Sequence, residues 1–169
     1  GIGQGYNNFT MLQLALATAT LANGGTRYQP HLGKAMVDAV SRETTALPQV
    51  PGVDLGYRPA HVDVVRKAMV GVTQSGTSTR VFAGARYLSG GKTGTAQAVT
   101  IGQKDRYNAA RMEERQRDHS LYIAFAPADA PRIAVAAIVE NAGFGAAHAA
   151  PIVRRVFDYW LLGEYPSEE

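Results

Sequence analysis

Cysteine is absent from the 169 residues, which excludes disulfides and thiolate metal sites within this chain. Charge is also scarce at 18%, and the 17 basic and 14 acidic residues are scattered, with no Lys/Arg block and no aromatic-basic interleaving. That pattern argues against nucleic acid as a partner. No apolar run reaches the roughly 20 residues that a membrane span needs; the longest, broadly 12–22, is broken by threonines. An initiator methionine is missing too, and the chain opens at Gly1 inside a glycine-rich stretch, so a fragment of a longer protein is expected. What is present is a 46% hydrophobic content over a length suited to one domain with a real core.

Helical signals come first. Thr10-Met-Leu-Gln13 is a capping-box pattern; Met11, Leu14, Ala15, Thr18 and Leu21 follow on one face, and Asn23-Gly24-Gly25 closes the helix. Residues 26–33 read as a short extended segment, and residues 41–60, rich in proline and glycine, as a loop. Val62, Val65, Met69 and Val72 recur at helical spacing over 61–73.

From Lys92 the period turns to alternation. Residues 92–99, 119–126 and 132–141 read as strands, the last two joined by a turn with Pro127 and Pro131 at its edges. Leu121, Ile123 and Phe125 face one way, yet Ala134, Ala136 and Ile138 make both faces of the last strand apolar, so helices are expected on both sides. A final helix has Pro151 in its first turn and Gly163 beyond its end, with Ile152, Val153, Val156, Phe157 and Trp160 expected to be buried. The fold class is α/β of the α+β type, an antiparallel sheet flanked by helices. No internal repeat is visible.

Several stretches look chemical and are better read as structure. Gly1-Ile-Gly-Gln-Gly-Tyr6 has no strand before it and carries tyrosine where a dinucleotide loop needs its third glycine, so it reads as a turn. Asp118-His119-Ser120 holds the three residue types of a serine triad, but consecutive residues cannot converge on one another. Histidines 31, 61, 119 and 148 lack ligand spacing, and neither metal nor cofactor is expected. Residues 98–118, with nine charges from Lys104 to Asp118, read as a solvated strand connection rather than as a carboxylate pair at Glu113 and Glu114, because helical neighbours point about 100° apart.

Ser89-Gly-Gly-Lys92 has the literal spacing of a nucleophile and its base. That pairing needs one helical face, and Gly90-Gly91 each cost about 1 kcal/mol in a helix relative to alanine. Ser89 is therefore not the nucleophile. As a strand, residues 92–97 place the Thr93 and Thr95 hydroxyls on one side and Lys92 on the other, while Gly94 leaves room for a ligand backbone: an anion-binding strand edge.

Lys-Thr-Gly is the third element of the penicillin-interacting serine enzymes, beside Ser-x-x-Lys and a Ser-x-Asn type motif. Around it, Gly3-Gln4-Gly5-Tyr6, the Thr10-x-x-Gln13 helix, Asn23-Gly24-Gly25, Pro30-His31-Leu32, Gly76-Thr77, Lys92-Thr-Gly-Thr-Ala-Gln97, Tyr107-Asn108, Glu114-Arg115-x-Arg-Asp-His119 and Ala124-Phe-Ala-Pro127 occur in one order. That order resembles the class B penicillin-binding proteins over nearly the whole chain, and most of all their elongation-specific peptidoglycan transpeptidases.

The resemblance implies that residues 1–169 are the C-terminal portion of one transpeptidase domain, of the penicillin-binding and serine β-lactamase-like fold. It implies a periplasmic domain of an inner-membrane-anchored protein in a Gram-negative bacterium. Lys92 would support proton transfer and attract the anionic substrate. Thr93 and Thr95 would bind the terminal carboxylate of a stem peptide or of a β-lactam, with Gly94 between them as part of the substrate-binding strand and the Thr95 N–H as an oxyanion-hole donor. The implied partners are the N-terminal half of the same polypeptide, the peptidoglycan stem peptide, β-lactam antibiotics, and elongation-complex membrane proteins including a lipid II polymerase. The departure is that none of the serines at 41, 75, 78, 89, 120 and 167 belongs to a helical Ser-x-x-Lys or to a Ser-x-Asn. Acylation by this chain alone is not expected. A non-catalytic penicillin-recognising sensor or scaffold stays open beside the enzyme, and a β-lactamase beyond that.

Overall fold

A computed structural model describes residues 8–97 and 113–165. Helix α1 (Met11–Ala22) starts on the expected capping box: the Gln13 N–H donates to Thr10 Oγ1 at 3.1 Å, and the Thr10 N–H donates to Gln13 Oε1 at 2.8 Å. Its deepest residues are Thr18, Thr20 and Ala22, while Met11, Leu14, Ala15 and Leu21 are half-buried. Threonines tolerate that burial because Thr18 Oγ1 donates to the Leu14 carbonyl and Thr20 Oγ1 to that of Leu16.

Two small pairings follow. Strand β1 (Thr26–Arg27) pairs with β4 (Val53–Asp54), and β2 (Ala35–Val37) forms a hairpin with β3 (Thr44–Ala46). The extended segment expected over 26–33 is thus only two residues long, and the loop expected over 41–60 holds two short strands. Pieces of two or three residues are too short for an alternation to be read.

Helix α2 (Pro59–Gln74) begins with proline in its first turn and buries Val62, Met69 and Thr73, leaving Val65 at the margin of that row and exposed. A single turn, α3 (Thr79–Phe82), leads to the main sheet of β5 (Gly90–Ala96), β6 (His119–Ala126) and β7 (Ile133–Val139). These lie in chain order and are antiparallel throughout. Helix α4 (Ala149–Leu162) closes the fold, with Gly163 at φ +71 as its left-handed cap.

Both faces of the sheet are covered, as the apolar pattern required. On one, Tyr122, Ala124 and Ala126 pack with Phe82 of α3 and with Ala149, Ala150, Val153 and Phe157 of α4. On the other, Phe125 packs with Ala22 of α1 and Met69 of α2. The buried set expected for α4 is corrected: Ile152, Val156 and Trp160 are exposed, and Val153 and Phe157 are joined by Ala149 and Ala150. The helix meets the sheet along one narrow i, i+3/i+4 row whose start is two alanines, so residues off that row turn outward.

The glycine-rich opening at 1–6, the strand end at Val99, the connection at 98–112 and Tyr107-Asn108 lie outside the described residues.

Candidate functional site

The site is built on β5, which pairs with β6 on one side only among the described residues. It starts at Gly90, so the Gly90-Gly91 pair that forbids a helix is the first part of a strand. Ser89 is buried just before it, and its carbonyl accepts from Thr73 Oγ1 of α2 at 2.7 Å. That bond ties the start of β5 to α2 through the Ser89 main chain, while burial encloses its side chain.

Register fixes which way each side chain points. Thr93 is opposite Tyr122 and Thr95 opposite Ser120, so both threonines share the α3/α4 face. Lys92 and Gly94 are opposite Ile123 and Leu121, on the other face. Lys92 is exposed, and its Nζ donates to the Thr93 carbonyl at 2.6 Å, which holds the ammonium back along its own strand. A Cβ on Gly94 would meet Leu121 Cβ at 3.1 Å, so glycine keeps that face close to β6.

Two segments flank the threonines. From α2, the turn at Gly76-Thr77-Ser78 brings Thr77 Oγ1 within 3.3 Å of Thr93 Oγ1. From beyond β7, Gly145 is buried against the backbone of Gly94 and Leu121, where a Cβ would stand 2.8 Å from the Gly94 carbonyl oxygen. The stretch Asp118-His119-Ser120 explains how that second segment is held. The Asp118 carbonyl accepts from the Gly143 N–H at 2.7 Å. His119 Nδ1 accepts from the Asn141 N–H at 3.0 Å. Ser120 Oγ donates to the Phe144 carbonyl at 3.0 Å and accepts from the Ala149 N–H at 3.1 Å. These three residues are stitches for the 141–149 segment and not a triad.

The other chemical-looking residues are similarly local. Exposed His31 contacts the Gly33 carbonyl through Nδ1 at 2.8 Å, and His61 and His148 are exposed. Glu113 pairs with Arg115 at 2.8 Å on the surface. Sequence reading attached no role to Ser78, Tyr122, Ser120 or Gly145. A clue lay in the hydroxyl-rich run from Thr77 to Thr79, while Tyr122 needed the strand register to be known.

Residues 1–158 match the family model described as penicillin binding protein transpeptidase domain. The chain belongs to the penicillin-binding protein transpeptidase family. Among curated members, the peptidoglycan D,D-transpeptidase MrdA of Acinetobacter baumannii is 45% identical over 163 residues, covering 95% of this chain and 24% of the relative. The MrdA of Haemophilus influenzae is 38% identical over 171 residues, 100% of this chain and 26% of the relative. The chain thus spans about a quarter of the length of these transpeptidases. Among solved structures, Pseudomonas aeruginosa PBP2 in complex with WCK 5153 superposes with a TM-score of 0.73 at 38% identity, over 98% of this chain and 33% of that one. The imipenem acyl-enzyme of Mycobacterium tuberculosis penicillin-binding protein A gives 0.74 at 31% identity, over 95% and 32%. A mixed architecture of antiparallel sheet and helices is what this family shares with the chain.

Proposed function

We propose that this chain is the carboxylate-binding portion of a serine-type peptidoglycan D,D-transpeptidase that cross-links cell wall during elongation. The observation that carries the reading is that Thr93 and Thr95 share one face of β5, with Lys92 next to Thr93 in sequence and on the other face, in a chain of this family. The likeness to two curated D,D-transpeptidases supports it.

In the proposed reaction a serine outside these 169 residues, in the N-terminal half of the same polypeptide, attacks the carbonyl of the D-Ala-D-Ala bond of a stem peptide. The C–N bond breaks, terminal D-alanine leaves with a proton on its amine, and an amine of a neighbouring strand then takes the acyl group and frees the serine. Thr93 and Thr95 hold the terminal carboxylate, or that of a β-lactam, and Gly94 keeps the strand low enough for the ligand to lie along it. Lys92 supplies positive charge for the anionic substrate and for proton transfer. The Thr95 N–H is one of two donors to the oxyanion, and losing such a donor costs about 2.7–4 kcal/mol of barrier. The setting that fits is the periplasm, with an inner-membrane anchor and elongation-complex membrane proteins, a lipid II polymerase among them, as partners.

Labelling with a fluorescent penicillin tests this. In the complete polypeptide Lys92→Ala should abolish labelling and Thr95→Ala should weaken it, whereas the isolated 169 residues should give no adduct. Full labelling of both variants would refute the assignment.

A further inference from the structure

Thr77 stands at the end of a chain of fitted contacts that begins inside the strand carrying Lys92. A Cβ on Gly91 would overlap the Tyr122 hydroxyl and stand 2.6 Å from its Cζ, so glycine at 91 is what lets that phenol reach across β5. There the Tyr122 hydroxyl meets Ser78 Oγ at 2.7 Å, with both side chains fully buried. Ser78 is tied back to α2 as well, since its N–H and its Oγ each contact the Val72 carbonyl at 3.1 Å. Gly76 permits this fold-back, because a Cβ there would lie 2.7 Å from Val72 Cα. Between these two fixed neighbours, Thr77 is exposed, and its Oγ1 is held 3.3 Å from that of Thr93.

We propose that Thr77 is a positioning residue that aims the Thr93 hydroxyl at the ligand carboxylate; this rests on the transpeptidase reading of residues 92–95. A hydroxyl has one proton to give and lone pairs to receive, and an ionised carboxylate only accepts. When Thr77 donates to Thr93 Oγ1, the Thr93 proton is left for the carboxylate, and the two bonds polarise in the same direction. Without Thr77, the Thr93 hydroxyl is free to rotate and to spend its proton on water. Both hydroxyls lie where a ligand can reach Thr93, while Ser78 and Tyr122 hold the scaffold from within the core.

The test is a double-mutant cycle in the complete polypeptide, reading the second-order rate constant of acylation by benzylpenicillin in Thr77→Val, Thr93→Val and the double variant, with Thr77→Ser as the conservative control. Thr77→Val should lose about tenfold, the worth of one hydrogen bond to an oriented donor. Thr77→Ser should recover most of that loss, and Thr77→Val should add nothing further in the Thr93→Val background. Additive losses, an equally impaired Thr77→Ser, or no loss in Thr77→Val each overturn the proposal. If the unsubstituted protein is not acylated at all, the transpeptidase reading itself fails, which is a separate outcome.

Discussion

Gly145 rests on the backbone of Gly94, close enough that a side chain on it has no place to go. A Cβ there would overlap the Leu121 carbonyl oxygen and stand 2.8 Å from the Gly94 carbonyl oxygen and 3.1 Å from its nitrogen. None of these atoms is a flexible side-chain tip, so relief must come from lifting the 144–147 segment off the strand. Gly145→Ala should therefore cost about 1–3 kcal/mol, as overpacking does elsewhere, and should also reduce penicillin labelling of the complete protein. A thermal melt unchanged from the parent would show that the segment yields without cost.

Ser120 carries the same segment from below. Its hydroxyl bridges the Phe144 carbonyl and the Ala149 N–H, which is one of the orphan donors at the start of α4. In Ser120→Ala both partners lose that hydroxyl, and of the two the Ala149 N–H is the one left in a buried setting. Leaving such groups unmatched costs about 1–3 kcal/mol. Urea denaturation should show a lower midpoint with an unchanged slope, and equal midpoints would remove Ser120 from this account.

Gly91 and Tyr122 should behave as one unit. Gly91→Ala drives a methyl group into the Tyr122 ring and hydroxyl, displacing the phenol from Ser78. Tyr122→Phe gives up the Ser78 bond but also removes the atom in sharpest conflict with the new methyl. The cost of Gly91→Ala should thus be smaller in the Tyr122→Phe background, by an interaction energy of about 1 kcal/mol. Strict additivity in chemical denaturation would mean that the two positions do not share this space.

Much of this fold was legible in the sequence because its signals are local. The Thr10-Gln13 box, the proline-edged turn between β6 and β7, and the change of period at Lys92 each depend on neighbouring residues. Strand β6 occupies residues 119–126, as the alternation predicts. What was not legible depends on partners distant in the chain. Whether Trp160 or Ala150 of α4 is buried is decided by how closely the helix approaches the sheet, and two alanines allow a close approach. At the site, the Lys92-Thr-Gly-Thr stretch could be read as a strand edge, and its register bears out the alternation of Thr93 and Thr95 against Lys92. The contacts of Thr77 and Gly145 with it could not be read, since one comes from the end of α2 and the other from beyond β7.

Tyr87 gives the protein an alkaline limit. Its hydroxyl donates to Asp158 Oδ1 at 2.7 Å, and Asp158 is also paired with Arg154 at 2.8 Å. Burial, then the bond to the Asp158 carboxylate and its negative charge, push the Tyr87 pKa well above the ordinary tyrosine range, with Arg154 opposing weakly. Burial raises that of Tyr122 too, partly offset by the Ser78 bond. A folded-state pKa above the unfolded one means that the native protein holds the proton more tightly. The stabilisation is fully present below the unfolded value of about 10 and is lost as pH climbs above it, because the unfolded chain sheds a proton that the folded chain keeps. The melting temperature should fall more steeply from about pH 10 to about pH 11.5 than from about pH 8 to about pH 9.5. Tyr87→Phe should flatten that fall while lowering the plateau at neutral pH, since Asp158 then loses a donor. An alkaline slope identical in the parent and in Tyr87→Phe would place the titration elsewhere.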